Sequence, residues 1–408
     1  MKEKIGILTY HRSINYGAVM QAYSLSKRLA KDFPDYDVEI IDYVSARTYL
    51  LYKKTLQNCI HAVFAANGFR QRLSYCKLTL HFIKGKLTGK KDNSLTGLFE
   101  KQMESFPLSD ELIITDNVDK VFNKIRRKYK AVIVGSDAVF NWGIRRFPNP
   151  YFLHDDIGAY KLSYAASSYG QDYLAVTEEQ KRYISEAWKT FDYIGVRDVP
   201  TEDFVKFADN DLVPNHNCDP TVVLDVEDIP VNDDEIKEML IAKGIDLSKP
   251  IIGLMALDWL GEIVRSIVGD KYQIVSVYKD NSYADCFLDN LSPFQWAKVF
   301  SYFDVTFTHF FHGNLLSLKN GTPTIVIEKK NSYNQKYNSK IRDFMARVDL
   351  SDFCYYSDEI EDKKAELAAA VEDRMNRRKY YSDKISDGIE KESKAYESFN
   401  AALKELLQ

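Results

Sequence analysis

Short apolar runs that end in polar, often glycine-containing loops alternate with helix-length amphipathic runs along this chain, and that alternation restricts the fold more than any other feature. Residues 5–9 read as a strand followed by a helix near 17–31. Residues 37–43, 131–134, 162–167 and 193–196 continue the strand series, with a helix over 178–190. A second series begins after the acidic, loop-like stretch 224–235. Strands are expected there at 251–255, 273–277, 305–308 and 324–327, and helices at 260–268, 293–302 and 312–319. Strands alternating with helices imply crossover connections and a largely parallel sheet covered on both faces. The expected fold is therefore α/β, with two Rossmann-like doubly wound domains facing a cleft. Residues 1–222 form the first domain, with a basic helical insertion at about 43–91, and residues 223–345 form the second. Residues 346–408 form a long charged helical tail that packs back across both. The cleft, at the carboxyl ends of the strands, is the expected active site.

Bulk properties agree with this and remove other classes. A chain of 408 residues exceeds one ordinary core, and 45% hydrophobic with 13% aromatic content is too apolar for a disordered chain. A net charge of -4 argues against nucleic acid as a partner. Five dispersed cysteines with no CxxC pair suit a reducing cytosol rather than a zinc site or a disulfide framework. The start runs directly into a strand with no signal-peptide pattern, and no apolar run is long enough to span a bilayer. A cytoplasmic protein is expected.

One segment departs from the average. Residues 43–91 hold ten basic residues and no acidic one, interleaved with apolar residues. This suits a helix lying on an anionic membrane surface, and equally a helical hairpin packed on its own domain with a solvated basic rim.

Polar residues just past strand ends are the candidates for chemistry. His11 to Gly17 follows the first strand. Asn15 and Gly17 open a helix whose N–H groups and dipole attract an anion, beside the plainer reading of a strand-to-helix turn. The cluster is not a GxGxxG fingerprint, so a dinucleotide is not expected. Gly135-Ser136-Asp137, with Asn141 and Trp142 downstream, offers a carboxylate as a base or sugar ligand, or simply a helix cap. Arg197-Asp198 offers a fork for phosphate or carboxylate, or an ion pair with a nearby acid. Asp219-Pro220-Thr221 reads as a turn or cap. Thr308 to Asn314 is the most informative cluster. His309 and His312 lie at a strand-to-helix junction, where imidazole can move a proton near neutral pH, and no carboxylate or cysteine lies at metal-ligand spacing around them.

Taken in order, these clusters resemble the polysaccharide pyruvyltransferase family. The matching segments are 5–9 with 15–22, 132–137 with Asn141, then 196–198, 219–221, 311–313 and 320–323. The resemblance implies a fold similar to GT-B glycosyltransferases. It also implies phosphoenolpyruvate as donor and a hexose or hexosamine of a capsule, exopolysaccharide or cell-wall precursor as acceptor, with a cyclic ketal as product. His312 matches the family histidine before glycine and is expected to be the general acid, with Asp137 assisting the attacking hydroxyl. Donor binding is expected from Arg12, Asn15, Gly17, Arg197, His309, Gly313 and Asn314, and acceptor binding from Asn141 and Trp142. The family usually places an arginine where this chain has His309 or Phe310, and Arg12 or Arg197 are candidates to replace that charge. No cofactor or metal is expected, because the donor brings its own leaving group. The acceptor is expected to be lipid-linked, with 43–91 holding the enzyme at the inner membrane face. Two other functions remain open: a GT-B-type glycosyltransferase using a nucleotide sugar, and a non-catalytic glycan-binding protein.

Overall fold

The computed structural model describes residues 2–52, 63, 72–77, 79–80, 94–145, 147–330 and 337–408, so most of the basic segment expected at 43–91 lies outside the described residues. The chain divides into two compact units, Met1–Val223 with Ala395–Gln408, and Leu224–Lys394.

The first unit is built on strands β1 (Lys4–Leu8), β2 (Asp37–Ile40), β5 (Ala131–Val134), β6 (Tyr160–Ala166), β7 (Tyr193–Val196) and β8 (Pro214–His216). They pair in parallel in the order β2-β1-β5-β6-β7-β8. Strands β3 (Tyr43–Val44) and β4 (Ile113–Ile114) form a small parallel sheet of their own. The second unit holds β9 (Ile251–Met255), β10 (Gln273–Ser276), β11 (Cys286–Phe287), β12 (Val305–Thr308), β13 (Thr324–Glu328) and β14 (Cys354–Tyr356), all parallel, in the order β11-β10-β9-β12-β13-β14.

Central strands such as β5 and β9 are buried along their whole length, as runs without apolar–polar alternation require when both sheet faces are covered. The edge strands β8, β11 and β14 were not expected from the sequence. They are two or three residues long and carry no period of their own. Residues 346–408 form the expected C-terminal helical tail, preceded by one short strand. They contain β14 and three helices, Ile360–Asn376, Arg378–Ser393 and Glu397–Leu407. The first packs on helix Asp258–Val268 and the second on helix Phe311–Lys319 in the second unit, while the last belongs to the first unit. Among the described residues no helix is long and apolar enough to cross a membrane.

Each sheet reverses its winding once. From β1 the chain steps outward to β2 and later resumes on the other side at β5; from β9 it steps to β10 and β11 and resumes at β12. In open parallel sheets the crevice beyond the carboxyl ends at such a reversal is where ligands bind.

Candidate active site

At the β1/β5 reversal, buried Gln21 on helix Tyr16–Asp32 joins the two strand ends. Its Nε2 donates to Thr9 Oγ1 at 3.0 Å, and its Oε1 accepts from Ser136 N at 3.1 Å and Ser136 Oγ at 2.6 Å. The loop after β5 needs glycine at its first position. Gly135 has φ +122°, and a Cβ there would lie 2.2 Å from the Tyr164 carbonyl oxygen. Asp137 follows, half-buried, with φ 73°. Its carbonyl oxygen accepts from Ser167 N at 3.0 Å, which ties the loop to the end of β6.

The neighbouring candidates are engaged within the unit. Arg12 grips Asp42 through Nε and Nη2, both at 2.6 Å, and His11 Nε2 lies 3.0 Å from the same carboxylate. Burial alone would raise the Asp42 pKa, but the hydrogen bonds from Arg12 and His11 hold it below the usual carboxylate value. Asn15 caps helix Tyr16–Asp32, accepting from Ala18 N at 3.2 Å, and Gly17 is buried in its first turn. Arg197 is buried and donates to Asp219 at 2.7 Å. Burial opposes its charge, yet Asp219, Asp137 and Asp198 together keep its pKa above the ordinary arginine value. Asp198 caps the next helix by accepting from Thr201 N at 3.1 Å, and also accepts from Ser167 Oγ at 2.5 Å. One arginine thus faces three carboxylates at these strand ends. Asn141 donates to the Tyr169 carbonyl at 2.8 Å, and the Trp142 ring packs 5.1 Å from Phe204.

The second unit differs in character. The helices after β9 and β12, Asp258–Val268 and Phe311–Lys319, both start without a side-chain cap; Asp258 offsets the dipole of the first, whereas the second has no acidic residue in its opening turn and presents its positive end. His312 and Gly313 occupy the first turn of the latter. A Cβ on Gly313 would sit 2.2 Å from Met255 Sδ, so glycine lets this helix start against the end of β9. Asn314 is a fully buried internal strut. It accepts from Thr324 Oγ1 at 2.8 Å and donates to Met345 Sδ at 3.1 Å, which leaves its amide turned inward. His309 packs between Phe310, 4.1 Å away, and Trp259, 5.2 Å away, and Tyr278 extends the row 4.5 Å from Phe310. Its buried Nδ1 has no hydrogen-bond partner among the described residues. Burial first, and then the nearby Lys329 charge, depress its pKa to about 4, so it is neutral at neutral pH. Exposed Lys329, just past β13, lies 4.9 Å from the Trp259 ring centroid.

Each unit therefore gathers its sequence candidates at its own strand ends. The sequence reading overlooked Gln21, Asp42, Trp259, Tyr278 and Lys329. The last three lie within four residues of the carboxyl ends of β9, β10 and β13, where position just past a strand end was the signal that could have found them. A cavity of about 980 Å³ touches Lys4, Lys130 and Tyr160 at the amino ends of the first sheet, away from these groups.

The model of the polysaccharide pyruvyl transferase family matches residues 15–331, most of the chain. The chain belongs to that family. No curated protein matches it in sequence. Among solved structures, a putative UDP-N-acetylglucosamine 2-epimerase from Listeria monocytogenes aligns with a TM-score of 0.53 at 10% identity, covering 99% of this chain and 96% of that one. The Neisseria meningitidis UDP-GlcNAc 2-epimerase, solved with UDP-GlcNAc, also gives 0.53, at 9% identity, covering 99% of this chain and 100% of that one. At such identities the likeness is one of fold, and this member of the pyruvyl transferase family has the GT-B type. It is a transferase connected with polysaccharide biosynthesis.

Proposed function

We propose that the protein transfers the pyruvyl group of phosphoenolpyruvate to a hydroxyl pair of a hexose or hexosamine, forming a cyclic ketal on a surface-polysaccharide precursor. The observation that carries this reading, beyond family membership, is the uncapped helix after β12, with His312 in its first turn and no acidic residue there. A helix N-terminus there suits a phosphate or a carboxylate.

In this reading His312 protonates the methylene carbon of the donor, and the double-bond electrons form the new C–H bond. C2 becomes electrophilic. A sugar hydroxyl adds to C2 and loses its proton to a carboxylate, assigned to Asp137. Phosphate leaves with the electrons of its C–O bond, and the second hydroxyl closes the ketal. His309 is neutral and does not supply the charge of the family arginine. Arg12 and Arg197 are matched by Asp42 and Asp219. Lys329 is the second unit's candidate for that charge.

The test is phosphate release from phosphoenolpyruvate with a panel of free and lipid-linked hexosides and hexosamines. Acceptor-dependent release is expected, reduced roughly 10²–10⁴-fold in His312→Gln. Near-normal turnover in that variant removes His312 from the mechanism. The row of Trp259, His309, Phe310 and Tyr278 favours one alternative, stacking of a nucleotide base and hence a nucleotide-sugar glycosyltransferase. Turnover from a nucleotide sugar with no phosphate release from phosphoenolpyruvate decides for it. The acceptor is proposed to be lipid-linked, with 43–91 contacting anionic headgroups at the cytosolic face. Salt-sensitive cosedimentation with phosphatidylglycerol vesicles supports that placement, and no binding at low salt overturns it.

A further inference from the structure

A cavity of about 270 Å³ opens in the first unit, lined from beyond the ends of β1, β3 and β4 by Tyr10, Ser45 and Asp116, and from the loop before β6 by Asn149 and Tyr151. We propose that it is the subsite for one uncharged sugar ring of the acceptor, which deepens the reading above and rests on it.

Three observations carry the proposal. The first is the mixture of walls. Half-buried Tyr10 contributes aromatic surface, and the buried rings of Tyr43 and Tyr151, which hold each other edge to face at 6.0 Å, fix the shape of the wall. The polarised C–H face of a pyranose packs on the electron-rich face of such rings. Between them stand polar groups that local bonds already orient. Asp116 Oδ1 accepts from Ala46 N at 3.1 Å, and its Oδ2 accepts from the Tyr75 hydroxyl. Asn149 Oδ1 accepts from Tyr151 N at 3.1 Å. A carboxylate offers about four acceptor positions, so Asp116 retains capacity for sugar hydroxyls.

The second observation is charge. Arg12 reaches this wall already neutralised by both oxygens of Asp42. The remaining arginine, Arg47, shares the wall with Asp116 and Asp119. Among the described residues, one free cation beside two carboxylates does not concentrate a multiply charged anionic donor, and it suits a neutral polyol whose hydroxyls both donate and accept. The third is size. The volume lies just under the roughly 300–1,000 Å³ of sites for drug-sized ligands, which fits a single ring better than a nucleotide sugar. Asn141 and Trp142, expected from the sequence to hold the acceptor, are bonded to Tyr169 and packed on Phe204, and neither lines this cavity.

The experiment titrates the full chain, without donor, with methyl glycosides of galactose, glucose and N-acetylglucosamine, followed by saturation-transfer NMR. Asp116→Asn preserves the shape of the wall, and Arg47→Gln changes an exposed side chain that the fold does not need. At least one glycoside is expected to bind the wild type and to bind each variant roughly tenfold more weakly, the scale of a lost hydrogen bond to a charged group. Absence of binding to the wild type, or equal affinity in both variants, overturns the subsite. Sugar binding that the variants weaken, in a protein that releases no phosphate from phosphoenolpyruvate, leaves the subsite standing and removes the donor. Phosphate release with an unchanged acceptor KM in both variants keeps the reaction and removes the subsite.

Discussion

His309 stands where the family usually has a permanently charged arginine, or next to that place, and aromatic neighbours keep it uncharged. The consequence is a pH dependence of known sign. Its folded pKa is about 4 against an ordinary 6.5, so between those values the unfolded chain binds a proton that the native site refuses. The stability that neutral His309 permits is complete above about pH 6.5 and is lost as the pH falls towards 4. Urea midpoints across this window are expected to fall less steeply in His309→Gln than in the wild type; parallel curves would show that His309 does not titrate in this way. Gly135 and Gly313 separate on the same scale. A methyl at Gly135 meets a backbone carbonyl that cannot turn aside, at a φ of +122°. Gly135→Ala is therefore expected to cost roughly 2–4 kcal/mol in chemical denaturation. A methyl at Gly313 meets the flexible end of Met255, and Gly313→Ala is expected to cost less than Gly135→Ala.

Among elements, the join between β7 and the segment after β8 depends on one buried ion pair, Arg197 with Asp219. Asp137 and Asp198 add to the field around that arginine. Replacing it removes the cation that faces three carboxylates, and a buried charge left uncompensated costs more than the pair contributed. Arg197→Met is expected to lower stability by about 3–5 kcal/mol. Adding Asp219→Asn should recover part of the loss, and an unchanged midpoint in the single variant would show that water reaches the site. Helix starts show how the two units divide their chemistry. Asn15 and Asp198 cap the helices that follow β1 and β7, while the helix after β12 has neither a capping side chain nor an acidic residue in its first turn. A positive terminus left without a capping oxygen favours an anion, and the second unit is where the proposed donor chemistry lies.

At the scale of the whole molecule, the chain leaves the first unit at Val223 and returns to it at Ala395. Helix Glu397–Leu407 then buries Phe399 and Leu403, with Phe399 4.7 Å from Tyr164 and 5.6 Å from Tyr193. The last residues thus complete a core begun almost four hundred residues earlier. Phe399→Ala is expected to cost about 3–5 kcal/mol. Hydrogen exchange should locate that loss in β6 and β7, with the amides of β9 and β12 unchanged. Equal loss of protection in both units would mean that they unfold as one cooperative body.

The strands 131–134, 193–196, 251–255 and 305–308 were legible because each is a continuous apolar run between polar breaks, and such runs are stable only when both sheet faces are covered. Family membership was legible because its short motifs lie at strand ends in a set order. The edge strands β8, β11 and β14 were not, since two or three residues have no measurable period. Nor was the commitment of the candidate site residues. Arg12 finds Asp42 across 30 positions, Arg197 finds Asp219 across 22, and Gln21 finds Ser136 across 115. Local sequence reports how a residue is disposed to its own element; which charge or carbonyl stands opposite depends on strand order and is decided only when the sheet assembles. The same holds for His309, whose missing charge comes from burial among rings contributed by separate crossovers.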